Sequence, residues 1–300
     1  MANVPYIGEI LSLCAALFWG IAVVLFKRAG ETMPPLALNA FKGAVGVILL
    51  PATLAVAGID FTPEVAVTDW VLLLASGVVG ITVADTMFFF SLEKLGAGLT
   101  AVVDTSYTPI IVALSAIVLD ERLTPFVIIG AVLIMGALVV GSAAPAEKGR
   151  TRKDVVAGLI VGVLGLGLMA VGIVMIKGVL DKPEVNVIWA TWVRVVGGFV
   201  GVLPLIALHP KRRALVSSLR PSRAWGVASL AALLGSYIAM MVWVGGMKYC
   251  EVSRSALLNQ LSTIFIFLFA TVILKERLTL RRGLAIALAV AGAYLVIISA

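Results

Sequence analysis

Histidine, cysteine and charge are all scarce in this chain. One histidine and two cysteines occur in 300 residues, and 13% of residues are charged, against about 25% in an ordinary soluble domain. Cys14 and Cys250 lie far apart, in or beside apolar runs, and give neither a disulfide framework nor zinc-ligand spacing. His209, the single imidazole, sits in a basic stretch, so no His–Asp constellation is available for catalysis. There is no glycine-rich phosphate loop, no HExxH and no nucleophile elbow. These absences count against an enzyme, and no metal or cofactor is expected. The segment Met1–Pro5 has no basic residue, and no evident cleavage site closes the apolar run after it, so that run reads as a retained span rather than a signal peptide.

What the chain has in abundance is apolar length. It is 61% hydrophobic with mean hydropathy +1.13. Crossing a bilayer takes roughly 20 apolar residues per helix. Ten such runs are present, at about 6–26, 34–57, 69–91, 97–118, 124–142, 155–176, 186–208, 224–247, 252–274 and 280–299. They are too long, and too uniform, for the alternating ~10-residue strands of a membrane barrel. The expected fold is therefore an all-α polytopic membrane protein. Its basic residues flank the membrane, which makes the bilayer, not nucleic acid, the natural partner.

The chain also repeats itself. Ser91–Thr124 and Gly246–Thr279 align without a gap at an offset of 155 residues, and both close on Glu-Arg-Leu-Thr (Glu121–Thr124 and Glu276–Thr279). Upstream, Gly8 and Lys27 match Gly158 and Lys177, and Lys42 matches Arg194. Self-similarity at this scale marks a duplicated unit. The first unit takes residues 1–142, a polar linker 143–154, and the second unit 155–300. Five spans per unit is an odd number, so the second unit enters the membrane inverted. Inverted repeats are the architecture of many secondary transporters, with the substrate site near mid-membrane between the halves. A channel, a membrane enzyme or a receptor is each a weaker fit to this plan.

In their Trp19-Gly20 pair, the cation positions Lys42 and Arg194, and the twin Glu-Arg-Leu-Thr turns, the two units resemble EamA domains of the drug/metabolite transporter superfamily. The resemblance covers nearly the whole chain. It implies a ten-helix, 5+5 inverted-repeat carrier that works by alternating access, moves a small metabolite such as an amino acid or another organic compound, and often exports it. Toxic compounds are also among the family's substrates. The proline of the fourth span is kept at Pro109 but is Ile264 in the second unit.

Ionisable groups inside spans cost at least ~2.5–3.5 kcal/mol each and so turn inward or pair. The candidates are Lys42, Asp85, Asp104 and Arg194. Lys42 and Arg194 have two readings: snorkelling or a structural salt bridge on one side, direct anion binding on the other. Asp104 and Tyr107 are three apart and share a helix face; the repeat matches Asp104 to Asn259, beside Gln260, Ser262 and Thr263. Corresponding faces of both units are thus polar, as a cavity lining would be. Thr82, its repeat-mate Tyr237, and Asn39 complete the polar set. Trp19, central in its span, is read as a cavity wall; Trp189 and Trp192 are read as cavity walls or, being near a span end, as interface anchors. Gly158 and Gly162 have the spacing of a close helix-packing face.

The expected partners are a small-molecule substrate, the lipid bilayer and, for coupling, protons. One chain holds both halves of a site, so a monomer suffices, and a dimer is compatible. A cell (inner or plasma) membrane is the expected location. Loops after odd-numbered spans hold 16 lysines and arginines and loops after even-numbered spans hold 5. The positive-inside rule then puts the odd loops in the cytoplasm and both termini outside, whereas the resemblance implies termini inside.

Overall fold

A backbone in hydrocarbon has no water to bond, and these apolar runs answer with helices. The computed structural model describes residues 5–104, 106–141, 151–221, 224–265, 269 and 280–298. Among them there is no strand. The helices are α1 (Ile7–Ala29), α2 (Pro35–Val56), α3 (Val67–Gly77), α4 (Ala84–Asp104), α5 (Tyr107–Val118), α6 (Pro125–Gly141), α7 (Arg152–Leu180), α8 (Val187–Leu208), α9 (Arg212–Ser218), α10 (Ala224–Ala232), α11 (Met240–Tyr249), α12 (Val252–Asn259) and α13 (Leu280–Ile298). Six stretches are long and apolar enough to cross a membrane: Ile7–Ala29, Pro35–Val56, Val67–Leu95, Arg152–Leu180, Val187–Leu208 and Trp225–Tyr249; Tyr107–Val118, Pro125–Ala137 and Gly283–Ile298 are shorter apolar helices. The second Glu-Arg-Leu-Thr turn, Glu276–Thr279, lies outside the described residues.

Local chemistry accounts for the helix starts. Proline at the first turn opens α2, where its missing N–H costs nothing. The Asn186 side chain accepts from the Ile188 amide at 2.8 Å and caps α8; Thr151 does the same for α7 through the Asp154 amide at 3.2 Å. The first Glu-Arg-Leu-Thr turn divides its labour. Thr124 accepts from the Val127 amide at the head of α6 (3.3 Å). Glu121 reaches into the other unit, where its two carboxylate oxygens accept from the amides of Val252 (2.7 Å) and Ser253 (3.0 Å). Helix α12 has no side-chain cap of its own, so a carboxylate from the first unit supplies one, at the end of the helix dipole that favours negative charge.

Helix contacts come in sets that the repeat exchanges. Helix α2 packs on α8, α5 on α12 and α6 on α13; α1 packs on α10 and α11, and α7 packs in the same manner on α3 and α4. Each unit's first helix thus lies against the middle of the other unit. Small residues permit these approaches. A Cβ on Gly77 would overlap the Arg194 carbonyl and one on Gly162 would meet Ser91 and Val103, so Gly162 serves packing, as its spacing predicts.

That last contact also locates a reversal. Ser91 and Val103 both border Gly162, yet twelve residues of straight helix would separate them by about 18 Å. The chain therefore doubles back between them, as expected from the boundary near 92–96, although helical hydrogen bonding runs through it. When loops are numbered by the ten spans expected from the sequence, contacts between them sort by parity. Lys94 bonds Asp154 at 2.9 Å, joining odd-numbered connections. Lys182 bonds Asp69 at 2.8 Å, Trp189 donates to the Phe61 carbonyl at 3.0 Å, and Lys248 donates to the carbonyls of Leu180, Lys182 and Val185, all joining even-numbered ones. Outside the bundle, Ile48, Ile117, Val132, Val290 and Tyr294 are exposed, an apolar surface suited to lipid.

Candidate functional site

Two kinds of helix irregularity recur in both units at matched positions. The first is a π-helical segment, Val78–Val83 between α3 and α4 and Leu233–Ala239 between α10 and α11, related by the 155-residue offset. Such segments free backbone carbonyls and cluster at functional sites. In the first unit Asn39 donates to the Ile81 carbonyl at 2.8 Å and to the Thr86 hydroxyl at 2.9 Å. The second is a break. Helix α4 ends at Asp104 and α5 starts at Tyr107; α12 ends at Asn259, a turn follows at Gln260–Leu261, and helix resumes at 262–265. Gln260 closes the first break from the second unit, its Nε2 donating to the Asp104 carbonyl at 2.7 Å.

Between these irregularities lie the charges. Lys42 on α2 is 2% exposed and ion-paired to Asp85 Oδ2, with the rings of Phe89 and Trp19 at 5.4 and 6.0 Å from its Nζ. The snorkelling reading of Lys42 is thereby corrected. A carboxylate in the first turn of α4 holds the ammonium instead, which is the salt-bridge side of that reading. Its repeat-mate Arg194 on α8 is 1% exposed, so it does not snorkel either. The repeat puts Met240 where Asp85 would be, and Arg194 Nε and Nη1 have no hydrogen-bond partner. Its guanidinium lies 5.4 Å from the Trp243 ring and over Gly80; a side chain there would displace it. Tyr107 and Asp85 are its electrostatic neighbours, and Asp104 is a neighbour of Tyr107.

The cluster is rich in unused polar atoms. Tyr107 Oη and Trp243 Nε1 are buried without partners, as is Asn259 Oδ1. Asp104 is half-buried, and no hydrogen bond reaches its carboxylate among the described residues. Buried polar groups are nearly always satisfied, and Arg194, Tyr107 and Trp243 together offer buried polar atoms that no hydrogen bond among the described residues uses.

Other sequence candidates lie elsewhere or serve packing. The Thr82 hydroxyl donates to the Gly198 carbonyl at 2.7 Å, and the Tyr237 hydroxyl shares a 2.6 Å bond with Thr53. These repeat-mates tie each π segment to the other unit's second helix, Thr82 to α8 and Tyr237 to α2. Trp192 stacks edge-on against Phe61 (5.7 Å) and Trp189 against Trp70 (4.8 Å), under the loop after α2. Trp189 is fully buried, which corrects its reading as an interface anchor: its indole N–H bonds a loop carbonyl instead of headgroups. Trp19 is half-buried beside Lys42, and Ser262 is buried just past the second break. Trp243 and Gly80 were not among the sequence candidates; their signal was their place in or near the π segments, invisible before those segments were seen.

A cavity of about 340 Å³ is lined by Glu121, Lys177, Asp181, Lys248 and Cys250 among others. Its polar groups are already engaged. Lys177 bonds Asp181 and the carbonyls of Met247 and Cys250, Lys248 bonds three carbonyls, and Glu121 caps α12. The central cluster is the better site.

Known proteins give the same outline. The model of the EamA-like transporter family matches residues 6–142 and 156–298. An uncharacterized transporter of Archaeoglobus fulgidus is 22% identical over 294 residues, covering 97% of this chain and 95% of its own. A solved crystal structure superposes with a TM-score of 0.79 at 20% identity, covering 97% of this chain and 96% of its own; at that identity the likeness speaks for the fold.

Proposed function

The chain belongs to the EamA-like transporter family, and from that premise we propose that it is an alternating-access secondary carrier rather than an enzyme. Ten spanning helices form two inverted five-helix repeats. A small metabolite, an amino acid or a related zwitterion or organic anion, binds between them at Arg194, Tyr107 and Asp104 and is exported, with coupling to protons or to exchange.

One observation carries the reading: the interruptions are paired. Each unit has a π segment and a helix break at the same offset, and partnerless polar atoms lie between them. Discontinuous helices meeting at the repeat interface are how such carriers build a mid-membrane site. The sorting of loop contacts by parity supports ten spans, since one span more or fewer would set odd loops against even ones. Orientation follows the charges. Of the five basic residues in even loops, Lys177, Lys182, Lys248 and Arg254 are tied to internal carbonyls or carboxylates. The odd side is then the cytoplasmic one, and both termini face outside.

Counterflow tests the reading. Proteoliposomes loaded with unlabelled metabolite are expected to accumulate the labelled form transiently and saturably; a channel-like pore gives neither saturation nor overshoot. Asp104→Asn, which keeps shape and removes titration, is expected to abolish the pH dependence of transport. Unchanged rate and pH dependence would refute proton coupling at Asp104.

A further inference from the structure

The cations at the two ends of the bundle are used differently. Lys177, Lys182, Lys248 and Arg254 are tied to carbonyls or carboxylates of the fold. The connection between α8 and α10 is the opposite case. Residues 209–221 include Lys211, Arg212, Arg213 and Arg220, all exposed, and no acidic residue. None of these four is ion-paired among the described residues. The fold enlarges the patch. Leu215 of α9 is buried in one cluster with Ala37 and Ala40 of α2 and Val202 and Ile206 of α8, which holds the short helix down on the bundle. Leu219 packs both there and against the cluster that contains Ala29 and Met33. The end of α1, with exposed Lys27 and Arg28, therefore lies alongside, and Glu31 is the one acid in that segment.

An apolar strip leads to these charges. Val200, Leu203 and Leu208 are exposed on one side of α8, Leu208 to 83%, over about 12 Å of helix. The strip ends where Arg212 Nη1 donates to the Ala207 carbonyl at 3.4 Å, so a guanidinium stands at the end of a lipid-facing surface. Val216 is exposed as well, four and three residues past Arg212 and Arg213 and hence on their face of α9. Exposed apolar side chains rimmed by arginine are the pattern of a helix lying in the membrane interface. We propose that α9 and the adjoining end of α1 form a binding surface for an anionic phospholipid, its phosphate headgroup on Lys211, Arg212 and Arg213 and an acyl chain along Val200, Leu203 and Leu208. Neither the carrier reading nor the orientation of the termini enters into it. Charge complementarity and position select the occupant. Guanidinium forks match phosphate oxygens, and basic clusters beside a spanning helix attract anionic headgroups. A soluble phosphate or an acidic protein would meet the cations but leave the strip bare, whereas a phospholipid covers both.

The test uses purified full-length protein in a non-ionic detergent, titrated with phosphatidylglycerol or with phosphatidylcholine of the same acyl chains, and lipid occupancy is read by native mass spectrometry. One cation near an anionic headgroup is worth about fivefold in affinity. Phosphatidylglycerol is therefore expected to bind at least about tenfold more tightly than phosphatidylcholine, and the preference to shrink as ionic strength rises. Arg212→Gln/Arg213→Gln is expected to weaken phosphatidylglycerol by about 10- to 30-fold and phosphatidylcholine by less than about threefold. The control Arg152→Gln/Lys153→Gln removes the same charge from exposed residues at the head of α7, which packs on α3 and α4, and is expected to leave both lipids within about threefold. Equal affinity for the two lipids on the parent protein would overturn the proposal without recourse to any variant. Equal losses in the two double variants would also overturn it, since net charge and not a site would then be responsible. Displacement of phosphatidylglycerol by an equal concentration of sn-glycerol 3-phosphate would reject the lipid in favour of a free phosphate, and displacement by polyglutamate would reject it in favour of an acidic protein.

Discussion

The buried Lys42–Asp85 pair gives the sharpest stability prediction, because its two halves have unequal fallbacks. Asp85→Asn leaves a buried ammonium with no carboxylate bonded to it, and Arg194 close by adds a second uncompensated cation. Removing one partner of a buried pair typically costs about 3–5 kcal/mol. Lys42→Gln leaves the Asp85 carboxylate instead, and Asp85 lies in the field of Arg194, whose Nε and Nη1 are free. A modest side-chain rotation can re-pair it, so the loss is expected at or below the low end of that range, about 2–3 kcal/mol. The double change Lys42→Gln/Asp85→Asn buries no charge at all and is expected within about 1 kcal/mol of the parent, since neutral replacements of buried pairs are often tolerated. The three variants and the parent form a double-mutant cycle, measured by reversible unfolding in detergent micelles at fixed ionic strength. The expected order of damage is Asp85→Asn, then Lys42→Gln, then the double variant. Additive losses, with the double variant worst of all, would refute the reasoning, because they mean the two charges do not meet.

Other consequences follow from packing and capping. Glu121→Ala is expected to cost about 1–2 kcal/mol and Glu121→Gln less, since the amide retains one acceptor but loses the charge at the head of α12; no change in unfolding for either variant would remove the cross-unit cap. Gly77→Ala drives a Cβ into the Arg194 carbonyl and is expected to cost roughly 1–3 kcal/mol or more, whereas Gly178→Ala, which faces open space, is expected to be neutral or to stabilise by up to about 1 kcal/mol; equal effects would mean α3 and α8 are not in contact. For orientation, a cysteine at exposed Ser217 is expected to resist an impermeant thiol reagent in intact cells and one at exposed Thr62 to react. The background lacks Cys14 and Cys250, although burial already pushes the Cys250 thiol up to about 12. The opposite pattern reverses the topology.

Much of this fold was legible because its causes are local or periodic. Apolar runs of bilayer length demand helices whatever their neighbours, and the 155-residue offset is visible without any structure. The loss of an acid at the mate of Asp85, namely Met240, was equally readable. Its meaning was not, for two acids, Asp85 and Asp104, stood as candidates for two cations. Choosing among those pairings requires knowing which helices touch. The break after Asp104 has a local sign in Pro109, in the first turn of α5, but its mate after Asn259 has Ile264 at the matching position and is silent in the sequence. Trp189 misled for a related reason. Its position near a span end is that of an interface anchor, and only the loop after α2 folding over it, with Phe61 presenting a carbonyl, makes it interior.

The claim that one site is served from two sides in turn has a direct measurement. Spin labels at exposed Arg122 and Tyr249 report separation across the even-numbered face, and labels at exposed Glu93 and Ser217 report separation across the odd-numbered face. In liposomes, pulsed electron resonance on each pair is expected to give two distance populations. A bound substrate is expected to shift the two pairs in opposite directions, one face widening as the other narrows. A single distance at both faces, unmoved by a substrate that nonetheless crosses the membrane, would contradict alternating access and leave a static pore in its place.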